Sequence, residues 1–329
     1  MPENSCPSGL IDISPIKELD YNCIDGIIAS VAGWLGRDYE LMFLGSWDFA
    51  FSLDLHGQSL GRRMQLLPEP VLQLLDKYHG IRRIAEAADN AQEGMTRIKE
   101  LIPTGVPVVL TCNAYWVPWD KCYGQQHTVH SFLVVGIDVH SRQLYCTDPY
   151  YRKNKVSLSF EHVEKAYASM STFVPLSQEA PVLAHALQEL QEMLKQQQHR
   201  DLYAEMNGFA HHITSIDLEA EAGDCEFLPS LPLFEALQEV AQGRHKFARS
   251  LDYLGRATQL SPLQEAAAAF RQLGDSWNKV RGTLMKMFMT GQVSEEQLSS
   301  LSCTIRDLSE QEQRWREALL WCTQKQLDC

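Results

Sequence analysis

The sequence lacks the features that would mark it as a membrane or secreted protein. No stretch approaches the roughly 18 apolar residues that a membrane span requires. The first ten residues, MPENSCPSGL, contain neither the basic segment nor the apolar stretch of a secretory signal. We therefore expect a cytoplasmic protein that has no membrane partner.

Positive charge and paired cysteines are also scarce. The 329 residues include 29 Lys and Arg against 42 Asp and Glu, which gives a formal net charge of −13. A surface of this sign repels phosphate backbones, so nucleic acid is not an expected partner. The nine cysteines form no Cys-x-x-Cys pair, which removes the commonest zinc and dithiol-redox signatures. Each cysteine has to be considered separately.

Hydrophobic periodicity predicts a mixed first part of the chain. Apolar residues recur at helical spacing over 24–35, directly before Gly36, and helices are also predicted after Pro70 and through Met95, Ile98 and Leu101. Three β-rich apolar runs then follow, at 106–111, 131–137 and 144–147. Helices followed by adjacent strands are typical of an α+β fold.

The second part of the chain is predicted to be almost wholly helical. Apolar residues at three-and-four spacing form stripes over 183–194, 233–254, 263–287 and 298–322. Such stripes are typical of helices that bury one face in a bundle. We therefore expect a first domain over residues 1–175 and a helical domain over 176–329, which could act as a lid, a docking surface or a dimer interface.

Cys23 has the position of a reactive cysteine. It stands in YNCIDG, directly before the predicted helix that begins near Ile24. Unpaired backbone N–H groups and the positive end of the helix dipole favour a thiolate at this point, and the thiolate is the nucleophilic form. The alternative is an inert buried thiol, which is the commoner role of a free cysteine.

The segment HTVHSFLVVGIDVHSRQLYCTDPYY supplies the two other groups of a candidate catalytic triad. His130 precedes one predicted strand, and Asp148 ends the next. If the two strands pair as a hairpin, Asp148 can reach the His130 ring. A carboxylate that orients a histidine, which in turn activates a thiol, is a Cys-His-Asp triad.

These motifs resemble the papain-like fold, especially its bacteriocin-processing peptidase branch, in which a Cys opens a helix and a later motif reads His, a hydrophobic strand, Gly and then Asp-Pro. The chain more closely resembles the butirosin biosynthesis protein H family. That resemblance rests on YNCIDGIIASVAGWLGRDYELMF, on GVPVVLTCNAYWVPWDKCYGQQHTVHSFLVVGID, on the TDP that ends the next strand, and on the helical extension that follows. It implies a papain-like core, with helices packed on an antiparallel sheet, followed by an all-α region.

The resemblance also implies roles for residues around the triad. Papain-like enzymes commonly place an oxyanion-donating Gln six residues before the nucleophile, where this chain has Lys17. Asn22 and the backbone N–H of Cys23 are the nearest substitutes. The family often has Asp at the position of Asn113. His130 keeps the six-residue spacing to Gly136 that the peptidase branch shows, which leaves His127 as a supporting or substrate-contacting residue.

Two further groups of residues near His130 have alternative interpretations. Cys122, His127 and His130 could bind zinc, but a fourth ligand is missing and the usual spacings are not met. The nearby aromatic residues either fill the core or line a channel for the acyl or acceptor group. The candidate channel residues are Tyr115, Trp116, Trp119 and Tyr150.

The family resemblance implies an acyltransferase of natural-product biosynthesis, in nonribosomal peptide, polyketide or aminoglycoside pathways. Its expected partners are an acyl carrier or peptidyl carrier protein, which brings the phosphopantetheine thioester, and a small-molecule amine or hydroxyl acceptor. No cofactor of its own and no metal are expected. The alternatives are a thioesterase, cyclase or peptidase on the same triad, or a non-catalytic scaffold that binds carrier proteins.

Overall fold

The chain folds into two units, and the computed structural model describes residues 10–55, 57–67, 69–177, 183–223 and 230–327. Among these described residues, those within Met1–Tyr39 and Leu75–Glu179 form the first unit, and those within Glu40–Leu74 and Ala180–Cys329 form the second.

The first unit contains one antiparallel sheet. Its strands are β1 (Ile81–Ala85), β2 (Val108–Asn113), β3 (Val129–Asp138), β4 (Gln143–Asp148), β5 (Lys153–Ser159) and β6 (Tyr167–Pro175). They lie in the order β1-β6-β2-β3-β4-β5, and every neighbouring pair is antiparallel. The three predicted strands correspond to β2, β3 and β4, and the predicted α+β class is confirmed.

The strands β1, β5 and β6 have no counterpart in the predictions. For β1 and β5, the exposure and composition of the strands explain why. β1 and β5 are the two edges of the sheet and are largely exposed. Their sequences, IRRIA and KNKVSLS, contain no continuous apolar run. An edge strand has only one hydrogen-bonded neighbour and less surface to bury, so it needs few apolar side chains.

Helices occur in both units. In chain order they are α1 (Cys23–Leu35), α2 (Leu60–Arg63), α3 (Val71–His79), α4 (Ala91–Leu101), α5 (Phe160–Ala166), α6 (Leu183–Arg200), α7 (Leu202–His212), α8 (Leu218–Ala222), α9 (Pro232–Thr258), α10 (Ser261–Thr290) and α11 (Glu295–Leu327). The helices predicted from apolar spacing correspond to α1, α3, α4, α6, α9, α10 and α11. Among the residues that the structure describes, no helix combines the length and the apolar character needed to cross a bilayer.

Helix α1 has capping residues at both of its ends. The Asn22 side chain accepts a hydrogen bond from the Asp25 backbone N–H (2.9 Å), and the Asp25 carboxylate accepts one from the Asn22 backbone N–H (3.1 Å). This capping box satisfies two N–H groups at the start of the helix. At the other end, Gly36 adopts the left-handed conformation that closes many helices.

Close packing also holds the start of α1 in the first unit. A Cβ atom at Gly26 would lie 3.0 Å from Pro149 Cβ and 3.2 Å from the Ile16 carbonyl oxygen. Pro149 directly follows Asp148, so this contact brings the first turn of α1 beside the end of β4. Glycine permits that approach because it has no side chain.

The segment 40–74, which the sequence prediction placed within residues 1–175, packs in the helical unit instead. Trp47 contacts Phe270 with a ring-centroid separation of 4.5 Å, and Phe51 contacts Phe209 at 5.4 Å. These aromatic side chains are buried because they fill the core between the helices. The division into domains over residues 1–175 and 176–329 stays a prediction.

A buried polar network lies in the core of the second unit. The Glu312 carboxylate accepts hydrogen bonds from the indole N–H groups of Trp47 (2.7 Å) and Trp277 (2.9 Å). It also pairs with Arg244, whose Nε and Nη2 atoms donate at 3.0 and 2.7 Å. The Arg244 and Glu312 side chains are both 0% exposed. The carboxylate is thus satisfied entirely by side chains of its own unit.

Candidate active site

The structure places Cys23 at the first position of α1, as its sequence position predicts. Its thiol is half-buried and lies close enough to the His130 ring to raise the pKa of that ring. Backbone N–H groups at this helix end favour a negative charge on the sulfur. Two other cysteines of the same unit, Cys112 and Cys146, are fully buried in the sheet, and burial raises the pKa of both thiols. Cys23 is therefore better placed than either to react as a thiolate.

His130 and Asp148 meet because β3 and β4 pair as the predicted hairpin. His130 Nε2 lies 2.7 Å from Asp148 Oδ2. The Cys23 thiol lies near the same ring and helps to raise its pKa. The three residues predicted as a triad thus lie together, with carboxylate, imidazole and thiol in the order that nucleophilic catalysis needs.

Asp148 is held by more donors than His130 alone. Trp119 Nε1 donates to the same oxygen, Oδ2, at 2.8 Å, and the Tyr151 backbone N–H donates to Oδ1 at 3.3 Å. Asp148 is 0% exposed. A buried carboxylate needs such donors, because water cannot solvate it. Trp119, predicted to line a channel, therefore also contacts the candidate triad directly.

The surroundings of His130 favour its charged form. Burial alone would lower the pKa of His130, but hydrogen bonds and opposite charges from Asp148 and Cys23 outweigh it and raise the pKa to about 9. At neutral pH the ring is therefore an imidazolium. A thiolate beside an imidazolium is the reactive state of a cysteine nucleophile.

Aromatic rings enclose the imidazole. Tyr150 and Tyr151 both meet the His130 ring edge-on, with centroid separations of 5.9 and 5.4 Å. Phe132 lies 6.1 Å from it. Tyr150 is a predicted channel residue, whereas Tyr151 was not singled out. Its position three residues after Asp148 could have indicated this contact, because consecutive residues of a turn often lie beside the same site.

Lys17 lies close to these groups, although the sequence alone did not assign it a role. Its ammonium donates to the Tyr21 carbonyl at 2.7 Å and lies 4.0 Å from the centre of the Tyr150 ring. Burial lowers the pKa of Lys17, while the charge of Cys23 is among those that oppose this effect. Asn22, a predicted oxyanion donor, uses its side-chain oxygen to cap α1. Its role in catalysis stays a prediction.

Asn113 and His127 form a group with Tyr115 at the ends of β2 and β3. Asn113 Nδ2 lies 2.8 Å from His127 Nδ1, and the Tyr115 ring stacks on His127 at 4.4 Å and 10°. Within the described part of the chain, their side-chain hydrogen bonds go to one another and to the Tyr115 backbone. Trp116 lies beside Tyr115, with ring centroids 4.9 Å apart. The substrate-contacting roles of these residues stay predictions.

The zinc alternative finds no support in this geometry. His130 is bonded to Asp148 and His127 to Asn113, so the two rings serve different partners. Among the described residues, no group of three or more His, Cys, Asp or Glu side chains is arranged to hold a metal ion.

Comparison with known families agrees with the fold of the first unit. Residues 32–174 match the model of the Peptidase_C39 like family. The match supports a papain-like, C39 peptidase-like family and suggests a cysteine-dependent enzyme. The matched range includes His130 and Asp148, while Cys23 lies just upstream of it. No curated protein matches the chain at a significant level.

The arrangement can perform acyl chemistry through a covalent intermediate. The Cys23 sulfur can attack a carbonyl carbon, and His130 can deliver a proton to the leaving group and later take one from the acceptor. The Asp148 carboxylate keeps the ring oriented throughout these steps. The family match suggests a cysteine-dependent enzyme. The more specific resemblance to the butirosin biosynthesis protein H family stays a prediction.

Proposed function

We propose that this protein is a cytoplasmic acyltransferase that moves an acyl group from a carrier-protein thioester to a small-molecule amine or hydroxyl in natural-product biosynthesis. The observation that carries the proposal is the placement of Cys23, at the start of α1, beside the hydrogen-bonded pair of His130 and Asp148. The carrier protein, of the acyl or peptidyl type, supplies the phosphopantetheine arm.

The reaction has two steps that share the same residues. In the first, the Cys23 thiolate attacks the thioester carbonyl, the carbon–sulfur bond to the carrier breaks, and the departing thiolate takes a proton from His130. In the second, the acceptor attacks the acyl-Cys23 carbonyl and gives its proton to His130, and the Cys23 thiolate leaves. The starting imidazolium–thiolate pair is restored after the acceptor's proton has been transferred.

Two features favour transfer from a thioester over cleavage of a peptide. A thiolate is a good leaving group and needs little protonation, whereas a peptide amine must be protonated as it departs. The residue six before Cys23 is Lys17, not the amide donor that papain-like peptidases commonly have there, and its ammonium is already bonded to the Tyr21 carbonyl. A weaker oxyanion site costs less with a thioester, because the attack on it is easier.

Basic residues beside the triad fit an anionic carrier. Arg152 and Lys153 are exposed and begin only four residues after Asp148. Carrier proteins present acidic surfaces and a phosphate diester, and an overall acidic enzyme needs a local positive patch to attract them. Reversing both charges, by Arg152→Glu with Lys153→Glu, should slow the reaction with carrier-bound thioester and leave a small pantetheine thioester unaffected. Equal slowing of both donors would contradict docking at these residues.

Intact-mass spectrometry tests the proposal directly. The full-length protein is incubated with an acyl thioester, and we expect a mass increase equal to the acyl group. The increase should vanish in Cys23→Ala and persist in Cys303→Ala, which removes an exposed cysteine of the second unit. Binding of a carrier protein without any adduct would overturn the proposal in favour of a scaffold.

Product analysis then identifies the acceptor class. With candidate amines or alcohols present, a transferase yields the amide or ester and regenerates unmodified Cys23. Release of the free acid at the same rate with and without acceptor would show a thioesterase instead. A cyclic product formed without added acceptor would show a cyclase, and cleavage of peptides faster than thioesters would show a peptidase.

A further inference from the structure

Trp119 makes a contact that distinguishes it from the other aromatic residues around the site. It lies between β2 and β3, and its indole N–H donates to Asp148 Oδ2 at 2.8 Å. That oxygen is the one that also bonds to His130, at 2.7 Å. The Trp119 ring packs edge-on against Phe132, with a centroid separation of 5.3 Å, and Phe132 itself belongs to the buried core of β3.

We propose that Trp119 is a positioning residue whose indole N–H controls the placement of Asp148 and the negative charge that Asp148 presents to His130. This inference deepens the proposed function and rests on it for its catalytic meaning. Trp119 acts through Asp148 and His130, and it has no direct part in bond making or breaking.

Hydrogen bonds from two directions fix the position of the Asp148 carboxylate. A carboxylate can rotate about its Cα–Cβ and Cβ–Cγ bonds, and one bond to His130 would leave it free to turn with the ring. The indole N–H fixes Oδ2 from a second direction, and the Tyr151 backbone N–H fixes Oδ1 at 3.3 Å. Because the indole is itself held against Phe132, the carboxylate plane is set by the core of the sheet. A fixed carboxylate in turn fixes the imidazole that must serve both steps of the reaction.

Trp119 also changes the effective negative charge of Asp148 Oδ2. The N–H of Trp119 brings a partial positive charge to Oδ2, which reduces the attraction of that oxygen for the His130 imidazolium. Asp148 is fully buried, so water does not replace a lost donor. Removing the N–H should therefore strengthen the pull of Asp148 on the His130 proton while loosening the carboxylate. A base that holds its proton more tightly releases it less readily to a leaving group.

The test replaces the indole N–H and nothing else. Trp119 is substituted in the full-length protein by 3-benzothienylalanine, in which sulfur takes the place of N–H within a ring system of nearly the same shape. The same analogue at Trp34, a half-exposed residue of α1, is the matched control. NMR of ¹³C-labelled histidine follows the titration of the His130 ring, and rapid quenching with intact-mass detection follows acylation of Cys23.

We expect the His130 titration midpoint to rise by about half a pH unit at position 119, as loss of one donor to a buried carboxylate implies. We also expect Cys23 acylation to slow about tenfold, as a loosened catalytic geometry implies, with little change in the thioester concentration that half-saturates it. A midpoint equal to that of the Trp34 control, or one that falls, would overturn the inference. So would an unchanged acylation rate accompanied by an unchanged midpoint.

Two further measurements keep the outcome interpretable. Trp119→Phe also removes the N–H, so its His130 midpoint should rise as well, and a thermal melt shows whether each variant folds like the wild type. The titration needs no substrate, so it tests Trp119 even if the wild-type protein accepts no thioester. In that event the proposed function fails while the positioning of Asp148 by Trp119 is still measured.

Discussion

Replacing Asp148 by asparagine isolates the charge of the buried carboxylate from its shape. Asparagine keeps an oxygen that can accept the His130 Nε2–H hydrogen bond, but it carries no negative charge. In the wild type, Asp148 and Cys23 raise the pKa of His130 from 6.5 to about 9 against the effect of burial. At about 1.4 kcal/mol per pKa unit, this corresponds to about 3 kcal/mol in favour of the protonated ring.

The Asp148→Asn variant should lose the larger part of that preference, because the contributions from Asp148 exceed those from Cys23. We expect the His130 titration midpoint, measured by histidine NMR, to fall toward the ordinary value of 6.5. The alkaline limit of Cys23 acylation should move to lower pH with it. The control is Asp138→Asn, which neutralises an acid at the end of β3 that is remote from His130.

The same shift predicts how stability depends on pH. The pKa of His130 is higher in the folded than in the unfolded state, so the protonated ring stabilises the fold. This contribution is complete below about pH 6.5 and disappears as the pH rises through about 9. Urea unfolding of the wild type should therefore show a loss of up to about 3 kcal/mol over this range from His130, and Asp148→Asn should show less. A variant that still titrates at about pH 9 would refute the account.

Three further predictions concern stability and are measured by urea unfolding. Glu312→Met should cost about 3–5 kcal/mol, because it leaves the Arg244 charge buried without its partner; a loss below about 1 kcal/mol would show that water reaches the site. Gly243→Ala should cost at least about 2 kcal/mol, since its Cβ would clash with the Ser46 carbonyl oxygen. By contrast, Gly282→Ala, where a Cβ meets nothing within 4 Å, should be neutral or stabilising. Asn22→Ala should lower the free energy of unfolding by about 1 kcal/mol, because α1 loses its cap. Asn22→Ser should retain most of the wild-type stability, because serine can also cap a helix.

Local patterns were sufficient to predict the strongly periodic elements. The apolar spacing before Gly36 predicted α1, and the continuous apolar run at 131–137 predicted β3. Each pattern reports how one segment buries its own side chains, so it is independent of the rest of the chain. The same limitation explains the strands that were missed. β5, with the sequence KNKVSLS, is a strand because β4 offers it hydrogen-bond partners.

The candidate triad was predictable because two local features determine most of it. Cys23 is the first residue of a helix whose start is marked by the Asn22 capping box, and His130 and Asp148 belong to consecutive strands joined by a short turn. In such a hairpin the start of the first strand lies beside the end of the second strand, so the order of the two strands in the sequence is enough to predict that His130 and Asp148 lie close together. The contact of Cys23 with His130 links segments far apart in the chain, and the resemblance to a known family suggested it.

The sequence by itself determined the class of the fold, the helices of the later part of the chain and the pairing of His130 with Asp148, because each of these follows from spacing within one segment or one hairpin. The resemblance to a known family added Cys23 to that pair. Only the tertiary structure decided that residues 40–74 pack with the helices, that Trp119 bonds to Asp148, and that Lys17 lies over Tyr150. Those contacts depend on which distant segments pack against each other. An aromatic or charged side chain can contact many different partners, so packing and the need to satisfy buried polar groups decide which partner it has.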